Sequence, residues 1–177
     1  MPGINFFEYA RDEDIVEGIS SFGICDDPGE LPAFISHNRD NHTWVATVSN
    51  PGRKRIQFLP VDKHIPLKRQ DGRTDSKRCD AMLLTYPVHT RETIVFIELK
   101  DVKQSAWEAA RRHAIDQLKE TIEFFLEYHQ LVSYKKRLAY VANRRHPHAN
   151  RAYTSDIQKF RSDYRITLKF SAEIVFE

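Results

Sequence analysis

Glu98 and Lys100 close the run Thr93-Ile94-Val95-Phe96-Ile97-Glu98-Leu99-Lys100, and a second apolar run, Ala81-Met82-Leu83-Leu84-Thr85-Tyr86, opens behind Asp80. Alternate residues of a strand project from one face, so Glu98 and Lys100 stand about 6.5 Å apart on the same side. Carboxylates and an ammonium gathered at the rim of a buried strand can bind a divalent cation and orient a water. That is the chemistry of metal-dependent phosphodiester hydrolysis. An acid-x-Lys triplet is expected about once in a chain of this size from composition alone. This chain has three, Asp75-Ser76-Lys77, Glu98-Leu99-Lys100 and Asp101-Val102-Lys103, and only the middle one ends a β-branched apolar run. Context therefore selects Glu98-Leu99-Lys100. The plain alternative is an exposed ion pair at a strand end, which carries little energy and no function.

Register offers a test. If the two runs form an antiparallel hairpin around Pro87-Val88-His89-Thr90-Arg91-Glu92, directly opposed residues share a face. Pairing Asp80 with Glu98 or with Lys100 gathers all three polar groups. Pairing it with Leu99 sends Asp80 to the wrong side, because a slip of one residue flips every side chain, so the site requires one of the first two registers or a bulge that achieves the same result.

The elements that must hold these residues follow from periodicity. Asp12 to Phe22 reads as a short N-terminal helix with Ile15, Val16 and Ile19 on one side. Thr43 to Val48 and Arg55 to Leu59 read as strands separated by the turn Asn50-Pro51-Gly52. A polar, basic loop from Lys68 to Lys77 leads into the Asp80 strand. After the Glu98 strand, Ser105 to about Gln130 reads as a long helix with Trp107, Ala110, Ala114, Leu118, Ile122 and Phe125 at steps of three or four. Ser105 is the expected N-cap, with Glu108 completing a capping box. Gln117 borders the stripe, and Arg111, Arg112, Lys119 and Glu123 fall outside it. Arg137 to Ala142 reads as a buried strand, Tyr153 to Phe160 as a second helix, and Ile166 to Phe176 as one final strand.

The chain has 177 residues, 41% hydrophobic and 29% charged, with a net charge of +2. That fits one globular domain spanning 1–177 with a substantial core. The net charge does not mark a nucleic-acid binder, yet basic residues cluster at Arg53-Lys54-Arg55, Lys68-Arg69, Lys77-Arg78, Arg111-Arg112, Lys135-Lys136-Arg137 and Arg144-Arg145. Such clusters can track a phosphate backbone, and each one singly is more often a solvated face. Cys25 and Cys79 give neither a disulfide framework nor metal-ligand spacing, and both read as reduced thiols, with Cys79 packing opposite Asp80. No secretory signal and no run long enough for a membrane span is visible, so the chain is expected in the cytoplasm with no membrane partner.

Lys77-Arg78-Cys79-Asp80 together with Ile97-Glu98-Leu99-Lys100 resembles the Asp…Glu-x-Lys signature of the PD-(D/E)XK nuclease superfamily. Cys79 stands where that family often has proline. The likeness covers roughly residues 78 to 142, and the first 60 or so residues carry none of it. Gln117-Leu118 looks like the Gln-Leu start of the helical motif in RecB-type members, but Thr121 stands where those have tyrosine. The resemblance implies an α/β, restriction-endonuclease-like core: a central mixed β-sheet flanked by α-helices. It implies a nuclease using Mg²⁺, with Mn²⁺ as a substitute, on nucleic acid, most simply DNA. Asp80 and Glu98 would hold the metal with the Leu99 carbonyl, an all-oxygen donor set suited to Mg²⁺. Lys100 would orient or deprotonate the attacking water, and Gln117 would join the site. An acid on the N-terminal helix, Glu13 or Glu17, would complete the metal shell. Cutting both strands of a duplex with one site per chain would favour a homodimer.

Other motifs point elsewhere only weakly. His146-Pro147-His148 lies among Arg144, Arg145 and Asn150 and reads as a solvated loop. His113 and His129 lie sixteen residues apart on the long helix and do not make a ligand set, and no His-Glu-x-x-His or paired cysteine spacing calls for zinc. No glycine-rich phosphate loop and no Gly-x-Ser-x-Gly elbow is present. Trp44 and Trp107 read as core anchors. Two competing readings remain: a catalytically inactive module of the same fold that binds nucleic acid or a protein, and an unrelated α/β protein with a surface ion pair. Binding without metal marks the first, and Asp80 facing away from Glu98 marks the second.

Overall fold

The computed structural model describes residues 3–69, 77–146 and 153–177. The strands are β1 (Ile15–Val16), β2 (Ser21–Cys25), β3 (Phe34–Ser36), β4 (Ala46–Ser49), β5 (Ile56–Pro60), β6 (Ala81–Thr85), β7 (Thr93–Lys100), β8 (Lys136–Asn143), β9 (Thr167–Phe170) and β10 (Glu173–Val175). Helix α1 (Gln104–Leu126) joins β7 to β8, and α2 (Thr154–Tyr164) joins β8 to β9. Six strands form a mixed sheet in the order β1-β5-β6-β7-β8-β9, antiparallel up to β7 and parallel beyond it. The other four form a second sheet in the order β10-β4-β2-β3.

Strands β6 and β7 are apolar nearly throughout because both faces of the six-stranded sheet are covered. Met82, Leu84, Ile94 and Phe96 belong to one core with Trp107, Ala114, Leu118, Ile122 and Phe125 of α1 and Phe160 of α2. Ala81, Leu83, Val95 and Ile97 belong to another with Phe22, Ile24, Val48 and Ile174 of the second sheet. The result is three layers, helices on sheet on sheet.

Several expectations need correction. No helix covers Asp12 to Phe22: a 3₁₀ turn at Asp12–Asp14 leads into β1, and Gly18 at φ 69° redirects the chain into β2. Ile15 and Val16 are β-branched and take a sheet edge beside Gln57 and Ile56 instead. Asn50-Pro51-Gly52 does not close a hairpin but carries the chain from one sheet to the other. Buried Asn50 holds that turn with hydrogen bonds to the Ile19 and Lys54 carbonyls and from the Lys54 amide. The final strand is two, split at Ser171-Ala172 and shared between the sheets.

Helix α1 starts one residue before the expected cap, with Lys103 at the N-cap and no side-chain cap, while Glu108 pairs with Arg111 at 2.8 Å. Arg111 itself is buried, paired also with Asp156 of α2 and lying 4.4 Å over the Tyr153 ring. Trp107 is a core residue, whereas Trp44 is half-buried and covers Gly23, where a Cβ would fall 2.1 Å from its ring. Among the described residues no helix is long and apolar enough to cross a membrane. The triplet Asp75-Ser76-Lys77 and the pair His146-Pro147-His148 lie partly outside the described residues.

Candidate active site

The hairpin β6–β7 has the register that gathers the three polar groups. Ala81 pairs with Ile97 and Met82 with Phe96; Asp80 stands one residue before this ladder, and its carboxyl reaches the Leu99 amide and the Glu98 side chain. Asp80 still takes part in the ladder on both sides: its amide donates to the Ile97 carbonyl at 3.1 Å, and its carbonyl accepts from the Val61 amide at 2.9 Å. Its carboxylate Oδ2 accepts from the Leu99 amide at 2.7 Å.

Glu98 is 1% exposed, and the Lys100 Nζ donates to its Oε1 at 2.6 Å. Lys100 also donates to Gln117 Oε1 at 2.9 Å, and Gln117 Nε2 donates to the Arg78 carbonyl at 3.1 Å. Glu98 Oε2 is buried with no amide, ammonium or hydroxyl donor to it among the described residues, and the Asp80 carboxyl stands within hydrogen-bonding reach of Glu98. A carboxylate oxygen left this way is costly unless something else satisfies it. Asp80, Glu98, Lys100 and Gln117 are therefore brought together, from two strands and one helix.

Thr121, one turn beyond Gln117, takes no part in the sequence reading except as a departure from the family pattern. In the fold it is fully buried; its hydroxyl donates to the Gln117 carbonyl at 2.9 Å and accepts from the Cys79 amide at 2.7 Å. Gln117 and Thr121 thus tie α1 to the two residues preceding Asp80. Their spacing of four on one helix was the available signal. Cys79 joins the α1-side core, just before the chain enters β6.

The electrostatics follow from burial. Desolvation pushes the Asp80 carboxyl up to about 7, helped by the charges of Asp26 and Asp62 and opposed by the Leu99 amide and Lys100. Desolvation, then the Asp80 charge, holds Glu98 well above the usual carboxylate range, with Lys100 opposing. Asp26, itself raised mainly by burial, follows β2, and the Asp62 amide bonds the Cys79 carbonyl at 3.2 Å. Neither acid stands out in the sequence, because only the fold carries β2 and β5 to this end of the sheets.

Glu13 and Glu17 are not brought to the pair. Their side chains are 71% and 66% exposed and paired with Arg11 and Arg55 respectively. The helix expected to carry them is absent, and Arg55 lies at the end of β5 away from Pro60, which pairs with Ala81. Asp101 of the third triplet is held by Arg144 and Arg145 at 3.1 and 2.8 Å.

The chain matches no protein-family model, no curated protein and no solved structure. Among the described residues, no group of three or more His, Cys, Asp and Glu side chains is arranged to hold a metal ion. What the site offers a cation is two crowded, buried carboxyls and the backbone beside them. That fits Mg²⁺, which commonly takes one or two carboxylates, keeps several waters, and completes its shell with a substrate phosphate.

Proposed function

We propose that this chain is a metal-dependent phosphodiesterase acting on nucleic acid, DNA in the first instance, with Asp80, Glu98 and Lys100 as its active site. The observation that carries the reading is the buried Glu98 carboxyl, held on one oxygen by Lys100 and crowded against the Asp80 carboxyl. Asp80, Glu98 and the Leu99 carbonyl would hold Mg²⁺ or Mn²⁺. When bound, that ion supplies charge neutralisation at the phosphate and lowers the pKa of a water. Lys100, steered by Gln117, would hold the attacking water in line, and Glu98 would tune the ammonium by the hydrogen bond they share.

The β5-β6-β7-β8 order with α1 crossing between parallel β7 and β8 supports a likeness to the PD-(D/E)XK core. The second sheet and the short N-terminal turns are additions to that likeness. A homodimer would let two such sites cut both strands of a duplex.

One observation favours a second reading. Lys100 is already satisfied by two oxygens, as in a structural ion pair, and most basic clusters are neutralised locally, Lys77 by Asp116 and Lys135 by Glu92 among them. A non-catalytic module would keep these contacts and bind nucleic acid without metal. Plasmid, linear duplex, single-stranded DNA and RNA incubated with Mg²⁺ or Mn²⁺ separate the two. Cutting that falls about 100-fold or more in Lys100→Ala supports the enzyme. Binding in chelator with no cutting of any substrate supports the module.

A further inference from the structure

At the opposite end of the six-stranded sheet, a cavity of about 360 Å³ is lined by Lys135, Lys136, Arg137, Arg161, Arg165 and Thr167. Lys136 pairs with Thr93 and Asn143 with Lys100, so this cavity lies seven residues down β8 from the candidate active site, about 23 Å away. It belongs to a separate place on the molecule.

The five cations come from three segments: the approach to β8, β8 itself and the end of α2. Lys135 and Lys136 are engaged with Glu92 at 2.7 Å and Glu177 at 3.6 Å. Arg137, Arg161 and Arg165 have no acidic partner among the described residues. Arg161 lies in the last turn of α2 and Arg165 is its C-cap, so both cations stand at one helix end. Arg165 also adopts φ 58°, a left-handed conformation that glycine takes more readily. Cations near a helix C-terminus favour the helix dipole, which accounts for Arg161 and Arg165 but not for Arg137 converging from a neighbouring strand. A second cavity shares Arg161 and Arg165 and adds Gln158 and Ser162, extending the basic concavity along α2.

We propose that this concavity binds an oligophosphate, a chain of two or more phosphate groups, through the guanidinium groups of Arg137, Arg161 and Arg165. Guanidinium forks match phosphate oxygens two at a time, and Lys135 and Lys136 raise the surrounding potential. The volume suits a small ligand. The phosphates can come from a free oligophosphate or from the phosphate-bearing end of a nucleic acid, and the site stands independently of the proposed nuclease activity.

Calorimetric titration of the full chain in chelator tests this, with pyrophosphate, tripolyphosphate and a 5′-phosphorylated single-stranded oligonucleotide as probes. Tripolyphosphate is expected to bind with an affinity that falls at least tenfold in Arg161→Gln combined with Arg165→Gly. Arg165→Gly suits the backbone there, and Arg137→Gln repeats the test from the strand side should the double variant fold poorly. Lys54→Gln, which removes an exposed cation elsewhere, is expected to leave binding unchanged. Binding of the oligonucleotide alone, weakened by the same variants, supports the site and assigns the phosphate to nucleic acid. Absence of binding by all three probes, or equal binding by wild type and the variants, overturns it. Cleavage assays are unaffected by that failure, so the two readings fail separately.

Discussion

Asp80 and Glu98 have each lost water that a charged carboxyl prefers, and the Asp80 charge makes Glu98 harder still to ionise. Asp80 titrates near 7 in the folded chain against an ordinary value of 3.8. Because the folded value is the higher one, the protonated carboxyl favours folding. That contribution is complete below about pH 4 and is lost as pH rises through about 7. Asp80→Asn, whose amide oxygen can still accept from Leu99, should match the wild type in urea midpoint near pH 3.5. At pH 8 it should be more stable by roughly 2–4 kcal/mol. A difference that does not change with pH would remove the burial argument. At pH 8, millimolar Mg²⁺ should raise the midpoint of the wild type and leave that of the variant alone. Lys100→Ala belongs to the same scale: it should abolish cutting, and it leaves Glu98 with neither oxygen satisfied by that amine.

At the scale of elements, α1 does more than cover the sheet. Gln117 and Thr121 fasten it to the residues preceding Asp80, so the depth at which the helix sits sets where the first carboxyl lies. Thr121→Val removes a hydroxyl and strands the buried Cys79 amide, for an expected loss of about 1–3 kcal/mol by urea unfolding, and cutting should fall with it. Thr121→Ser keeps the hydroxyl and should recover most of both.

The α1 stripe was legible because Trp107, Ala114, Leu118, Ile122 and Phe125 meet a flat sheet, and a flat partner preserves helical periodicity. So were β6 to β8, whose apolar runs are buried on both faces. Asp12 to Phe22 was not, since a helical spacing of three β-branched residues is equally served by a two-residue edge strand and a glycine turn. Nor was the buried Arg111, whose partner Asp156 lies on the other helix. Of the site, the Asp80, Glu98 and Lys100 convergence followed from strand alternation and an allowed register. Asp26 and Asp62 were hidden because only the tertiary fold brings their strand ends to Asp80.

For the molecule as a whole, the six-stranded sheet is a shared wall between two cores. The second sheet depends on residues from both ends of the described chain, with Phe22, Val48, Ile174 and Phe176 fully buried in one cluster. Phe176→Ala should therefore cost about 3 kcal/mol or more in thermal or urea unfolding, although it lies beside the last residue. Val175→Ala, on the exposed side of the same strand, should cost less than about 1 kcal/mol. Equal effects would mean that β10 contributes little to that core.

The parallel pairing of β10 with β4 brings Glu173 beside Thr47, about 125 residues earlier in the chain. During synthesis, β2, β3 and β4 emerge with an apolar face and an unpaired β4 edge, and both wait until the segment leading to β10 has been made. Long-range closure of this kind slows folding and lengthens the life of a sticky intermediate. The vulnerable moment for this protein is thus its own assembly, when the three strands β4-β2-β3 are most prone to aggregate or to need a chaperone.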